Sequence, residues 1–197
     1  MAEMPHADLL RGELTGALQK DVETLKTIFG LPENADIVFR PFEAGAFSLC
    51  AVYTEGMAKD DKVADFILRA CHAFDAGAER VDADMRAEFL LKSAVCIPQA
   101  RLENRVQELV MQILGGMTAL LIDGCADGLL METRGFEKRN VQRTVSESVV
   151  VGSQERFVES LRTNITLMRR YVQSPALISE MTTVGKSVPL RIAILYM

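Results

Sequence analysis

The sequence predicts an α+β fold in which amphipathic helices pack on a small β-sheet. Stretches with apolar residues at helical spacing alternate along the chain with short β-favouring runs. A late segment combines two apolar runs with Asp-Gly pairs between them, which is typical of a hairpin. Local hairpins mixed with helices are typical of helices layered on a sheet. The length of 197 residues allows one domain or two small ones.

The first half of the chain alternates between predicted helices and predicted strands. Leu18, Val22, Leu25 and Phe29 recur at helical spacing, and Gly30 ends the run. A β-favouring run and an alternating apolar run follow, and then two amphipathic segments, the second one weaker and broken by a proline. We therefore expect a helix, two strands and two helices, at residues 18–29, 37–39, 47–53, 63–74 and 84–95.

The second half predicts a helix, a hairpin, a linker and a long connector helix. One apolar face indicates a helix over 101–114, ended by two glycines. Strands are expected at 118–122 and 129–133 around the turn DGCADG, and an exposed linker follows over 134–151. Ser153 is a suitable N-cap for a helix that runs to Tyr171, and its apolar stripe is Phe157, Leu161, Ile165 and Met168. A short helix at 176–181 and a strand at 190–197 complete the prediction.

These elements divide the chain into four expected parts. They are a flexible N-terminal tail (1–15), a first α/β subdomain (16–140), a linker with the connector helix (141–185) and the start of a second subdomain (186–197). The last run, LRIAILYM, is strand-like and has no predicted neighbour. We expect it either to add to the edge of a sheet or to be poorly ordered. On this interpretation residue 197 is a fragment boundary.

Composition argues against two classes of protein. Lysine and arginine total 22 against 27 acidic residues, a net charge of −5, whereas a dedicated nucleic-acid binder normally carries excess basic charge. The most apolar segment, 109–122, is shorter than the roughly 20 residues that a membrane-spanning helix needs. The N-terminus lacks the apolar run of a signal peptide. We expect no nucleic-acid partner and a soluble chain.

No catalytic or cofactor motif is present in the sequence. It contains no GxSxG, HExxH, GxxxxGK[ST] or GxGxxG. The four cysteines are widely spaced in apolar contexts, so we expect buried free thiols and no metal site. DGCADG has too few spaced acidic ligands for a calcium loop. We therefore expect a protein that is not an enzyme and has no cofactor.

Arginines cluster around the linker and the connector helix, and two interpretations of them stay open. They could form a solvated face paired with nearby glutamates. They could instead form a surface that docks another subunit, an adjacent domain or anionic headgroups. Spacing alone does not decide between the two.

Three segments resemble the GerA family of spore germination proteins. They are 118–139, 144–171 and 184–197, and within them lie the strings SESVVVG, RFVESLRTN and VGKSVPLRIAILY. Weaker similarity extends to 37–42 and 50–57. The sequence departs from the family at 151–157, where VGSQERF replaces an RGPREGF-like turn.

The resemblance implies the soluble N-terminal region of a germinant-receptor A subunit or of a close sporulation relative. Such a parent would have two α/β subdomains followed by membrane helices, and it would lie in the spore inner membrane with this region on the spore-core side. It would respond to nutrients with other receptor subunits, oligomerise and form or gate an ion channel. A stand-alone ligand-binding module or a small enzyme is the alternative.

On this resemblance we expect the connector helix to couple the two subdomains. Its arginine face would make an inter-domain or inter-subunit contact. The candidate contact residues are Arg134, Arg139, Arg156, Arg162, Asn164, Arg169 and Arg170.

Overall fold

The structure, a computed structural model, describes residues 6–73, 81–135 and 157–197. The helices are α1 (Ala7–Leu10), α2 (Leu18–Phe29), α3 (Asp60–Val63), α4 (Arg69–Ala73), α5 (Arg86–Ser93), α6 (Val106–Leu114) and α7 (Leu161–Tyr171). A π-helical turn, Ala64–Leu68, joins α3 to α4, and a 3-10 turn, Ala83–Met85, precedes α5. The strands are β1 (Ile37–Ala44), β2 (Phe47–Thr54), β3 (Ala100–Glu103), β4 (Thr118–Ile122), β5 (Gly128–Met131), β6 (Ile178–Val184) and β7 (Leu190–Tyr196).

Five strands form an antiparallel sheet in the order β1-β2-β4-β5-β3. β1 and β2 are a hairpin paired from Ile37–Thr54 to Ala44–Phe47. β2 then pairs with β4, and β4 pairs with β5 across the predicted Asp-Gly turn. The α+β prediction is confirmed. β6 and β7 form a separate two-stranded sheet.

Helices cover both faces of the five-stranded sheet. In β2, Cys50 and Val52 belong to an apolar cluster beneath α2 and α6, whereas Leu49 and Ala51 belong to a second cluster beneath α4 and α5. β4 alternates in the same way, so all five of its residues are buried. Burial on both faces explains why these strands are almost continuously apolar.

The N-terminal segment differs from the expected flexible tail. Residues 7–10 form α1, and Leu10 and Leu14 are buried in the cluster beneath α2 and α6. The Leu14 N–H also donates to the Asn104 carbonyl (2.8 Å). Apolar burial and this hydrogen bond fix residues 7–14 in place.

Two predicted helices are wrong in part or in whole. The helix expected from residue 101 begins at Val106, because Ala100–Glu103 pair with β5 as an edge strand. In place of the helix expected at 176–181, residues 178–181 begin strand β6 (Ile178–Val184), whose seven residues all pair with β7. In both places pairing with a distant strand outweighs a weak local helical pattern.

The connector helix is shorter than expected. Ser160, rather than Ser153, is its N-cap, and the Ser160 hydroxyl accepts a hydrogen bond from the Thr163 N–H (3.3 Å). Phe157, expected on the apolar stripe, precedes the helix and is exposed. Ser153 and residues 136–151 of the expected linker lie outside the described residues.

Within the described ranges, no helix is both long enough and apolar enough to cross a membrane.

Candidate functional site

A buried polar cluster joins α7 and β6 to the loop between α2 and β1. We name it the Arg169 cluster, and its side chains are Asn34, Asp36, Arg169 and Ser179. α7 supplies Arg169 from its last turn, β6 supplies Ser179, and the loop before β1 supplies the two acceptors. These residues come from sequence positions more than 130 apart, so the cluster is a tertiary contact.

The Arg169 guanidinium uses each of its donor positions. Nε donates to Oδ2 of Asp36 (2.9 Å) and Nη2 donates to Oδ1 of the same carboxylate (2.8 Å), a bidentate pair. Nη2 also donates to Oδ1 of Asn34 (3.3 Å). Nη1 donates to the carbonyls of Ser174 and Leu177, both at 3.1 Å. The five N–H groups of the side chain are therefore matched by five acceptors.

Asn34 fixes the same junction from the other side. Its amide nitrogen donates to the Phe29 carbonyl (2.9 Å) at the end of α2 and to the Leu177 carbonyl (3.4 Å). Its oxygen accepts from the Ser179 N–H (3.0 Å) as well as from Arg169. The Ala35 N–H donates to the Ser179 carbonyl (2.8 Å). One loop thus binds both α7 and β6.

The ion pair in this cluster is excluded from water. The side chains of Arg169 and Asp36 are 1% and 6% exposed. Charges this deeply buried are stable only together, because removing one partner leaves an uncompensated buried charge. Ser179 Oγ is also buried, and it has no hydrogen-bond partner among the described residues. The cluster is therefore sensitive to any change in its members.

A second contact lies beside the cluster, at the turn after β2. Nη2 of Arg162 pairs with Oε1 of Glu55 (2.8 Å), an exposed pair, and the Glu55 N–H donates to the Asp36 carbonyl (2.8 Å). Thr166 of α7 lies over Gly56, where a Cβ would come within 2.2 Å of its hydroxyl. Two arginines of one helix thus contact neighbouring parts of the five-stranded subdomain.

The remaining candidate arginines lie elsewhere. Arg134 has other partners: Nη2 donates to Oε1 of Gln112 (3.0 Å) at the end of α6, and its carbonyl accepts from Lys62 (3.2 Å). Arg170 is an exposed residue at the end of α7. Arg139 and Arg156 lie outside the described residues.

Asn164 has a local role at the start of α7. Its Oδ1 accepts from the Val158 N–H and its Nδ2 donates to the Val158 carbonyl, both at 2.7 Å. This reciprocal pair holds the chain before the helix against the first helical turn, as a capping interaction does.

The cysteines follow the prediction with one exception. Cys50, Cys71 and Cys125 are buried free thiols, whereas Cys96 is exposed, so the expectation of four buried thiols is wrong there. Burial raises the pKa of the Cys50 and Cys71 thiols to about 11. No group of three or more potential metal ligands is found in the described ranges.

Sequence reasoning identified Arg169 but not its partners. Asn34 and Asp36 follow Pro32 in a segment that the sequence assigns to a loop, and loops normally expose such residues. No signal in their spacing relates them to a residue 133 positions later.

Comparison with known proteins places these features in a family context. A family model described as Bacillus/Clostridium GerA spore germination protein matches residues 23–197. The chain is 33% identical over 157 residues to the uncharacterized membrane protein YfkQ of Bacillus subtilis (strain 168), a match covering 77% of this chain and 29% of that protein. It is 25% identical over 186 residues to spore germination protein B1 of the same strain, covering 93% and 37% respectively.

A solved structure has the same fold. The N-terminal domain of the A subunit of the Bacillus megaterium spore germinant receptor GerK3 matches with a TM-score of 0.74 at 21% identity, over 94% of this chain and 66% of that one. The chain spans about a third of the length of the curated relatives that it matches over most of its own length.

Proposed function

This chain belongs to the Bacillus/Clostridium GerA family of spore germination proteins, and we propose that it forms the N-terminal region of a germinant-receptor A subunit. In this role it acts in receptor assembly and in transmitting the nutrient signal, and it is not an enzyme. The whole receptor lies in the spore inner membrane, with this region on the spore-core side, and opens an ion pathway during germination. Its partners are other receptor subunits and further copies of the A subunit.

The Arg169 cluster is the observation that carries the mechanism. α7 follows the five-stranded subdomain in sequence and precedes the β6–β7 sheet, so it lies between the two regions that bear strands. The cluster fixes α7 and β6 to the loop that joins α2 to β1. A displacement of the β6–β7 sheet is therefore passed to the five-stranded subdomain through Arg169. The connector helix would thus transmit a mechanical signal.

Arg162 and Arg169 of α7 separate this function from a purely stabilising surface charge. Arg169 is buried and its ion pair is water-excluded, whereas the Arg162 side chain is 64% exposed in its pair with Glu55. Exposed pairs contribute little to stability, and buried pairs are costly to break. Charge reversal at the two positions should therefore give different results.

The test is charge reversal in the full-length parent protein, expressed from its own locus in sporulating cells. We expect Arg169→Glu spores to germinate slowly or not at all in a broad nutrient mixture, and Arg162→Glu spores to germinate almost normally. Loss of optical density follows germination, and immunoblotting of inner-membrane fractions follows the amount of receptor. Germination triggered without nutrients controls for spore viability. Normal receptor levels together with normal nutrient germination in Arg169→Glu would refute the proposal.

A further inference from the structure

We propose that residues 161–196, which comprise α7, β6 and β7 and are named the C-terminal unit, open and close as one cooperative unit against the five-stranded subdomain. The Arg169–Asp36 ion pair holds the closed state. This inference concerns the chain's own conformational equilibrium, so it is independent of the germination role.

The C-terminal unit is held outside the apolar core. Among the described residues, both apolar clusters are built from positions 10–131, and neither includes a residue of the unit. The unit's own buried apolar side chains are Ile165, Pro175 and Leu177. Regions that bury little apolar surface open at lower free energy than the core does. The five-stranded subdomain can therefore keep its core when the unit leaves.

Polar contacts form the attachment, and they depend on one another. Arg169 binds Asp36, Asn34 and two carbonyls, and Asn34 in turn binds the backbone of β6. A guanidinium separated from its carboxylate cannot remain at 1% exposure without a large desolvation cost. Loss of the ion pair therefore expels Arg169 into water, and the contacts that Asn34 makes to Arg169 are lost with it. Such coupling favours two states over a continuous range of positions.

Steric contacts at two glycines make the closed position specific. Ile178 lies over Gly30, where a Cβ would come within 2.5 Å of its Cδ1, and Thr166 lies over Gly56 in the same way. Both glycines have positive φ, 68° and 77°. The unit therefore fits in one position on a surface that lacks side chains at the two points of closest approach.

The β6–β7 sheet depends on this docking. An isolated two-stranded sheet is at best marginally stable in water. β7 pairs only with β6 among the described strands, and the unit exposes several large apolar side chains, among them Val184, Leu190 and Ile194. The helix and hairpin are therefore expected to lose protection together when the unit opens.

Hydrogen exchange of the 197-residue chain tests the inference. We compare wild type with Asp36→Asn, which removes the charge and keeps the shape. Amides of α7 and β6 should exchange at least about 100-fold faster in the variant, since an unpaired buried arginine is strongly destabilising. Amides of β4 and β5 exchange through a larger opening in which the ion pair is also broken, so they accelerate at most by the same factor, and they should stay more protected than those of α7 and β6 in both proteins. Arg162→Ala is the matched control, and its exposed pair predicts a change below about 5-fold.

Two outcomes would overturn the inference. Equal protection of α7, β6, β4 and β5 in wild type would mean that the C-terminal unit and the sheet unfold together. Unchanged rates in α7 and β6 would mean that the ion pair does not hold the unit closed. If the variant does not fold, wild type is measured in rising sub-denaturing urea instead. There α7 and β6 should exchange through an opening with a lower free energy and a weaker urea dependence than β4 and β5, and identical values for all four elements would refute a separate unit.

Discussion

Replacing Gly56 with alanine should weaken the docking of α7 by a calculable amount. Gly56 has φ +77°, and an alanine in this left-handed conformation costs about 1–2 kcal/mol. The new Cβ would also lie 2.2 Å from the Thr166 hydroxyl, so α7 must shift. Overpacking of this kind costs about 1–3 kcal/mol. We therefore expect Gly56→Ala to lower the free energy of unfolding by about 2–5 kcal/mol, summing the two contributions.

Two matched variants separate the backbone cost from the steric one. Gly45, at the opposite end of the β1–β2 hairpin, also has positive φ (57°), so Gly45→Ala should cost only the first contribution, about 1–2 kcal/mol. In Gly56→Ala/Thr166→Ala the clashing hydroxyl is gone, and the loss should fall to that of Gly45→Ala. Urea denaturation followed by circular dichroism gives all three values. Equal losses in the two single variants, with no rescue by Thr166→Ala, would refute the contact.

Three further predictions concern charge, pH and thiols. Arg169→Lys should destabilise the chain more than Arg162→Ala in thermal unfolding, because a lysine cannot reproduce the bidentate pair; equal shifts would contradict the burial of that pair. Hydrogen bonds from Arg105 hold the pKa of Glu103 below its usual value, so the folded state favours the ionised form. The resulting stability is present above the ordinary glutamate pKa of about 4.3 and is lost as pH falls through the lowered pKa. Glu103→Gln should remove that part of the acid dependence, as measured by urea titrations from about pH 3 to about pH 7, a range that extends at least about one pH unit to either side of the ordinary pKa. Cys96 should be the one cysteine that a thiol reagent labels rapidly in the native chain, as counted by intact mass; fast labelling of a second thiol would show that a buried site opens.

Elements with strong local signals were predicted well. The β4–β5 hairpin has Asp-Gly in its turn and apolar strands, and β4 occupies the predicted residues 118–122. α2 has a clear apolar stripe and ends at Gly30, whose positive φ suits a helix C-terminus. Each of these signals lies within a few residues of the element that it defines.

Elements that depend on distant partners were missed. β3 is a four-residue edge strand whose identity comes from pairing with β5, about 28 positions away. β6 pairs with β7 across a turn that contains Gly185, but its own residues have no alternating pattern. Periodicity reports on the faces of an element, and it cannot report on which neighbour provides hydrogen bonds.

The same limit explains the two open interpretations of the arginines. Arg162 and Arg169 are both polar positions predicted to lie off the apolar stripe, although Arg169 follows Ile165 by four residues and shares its buried face. In the structure Arg162 is a largely exposed partner of Glu55, whereas Arg169 is a buried partner of Asp36. What separates them is a loop more than 130 residues earlier that supplies the Asp36 carboxylate and the Asn34 amide oxygen to Arg169. A polar residue on a helix can therefore be assigned to a contact only when the surface that it packs against is known. For Arg169 that surface is the loop before β1.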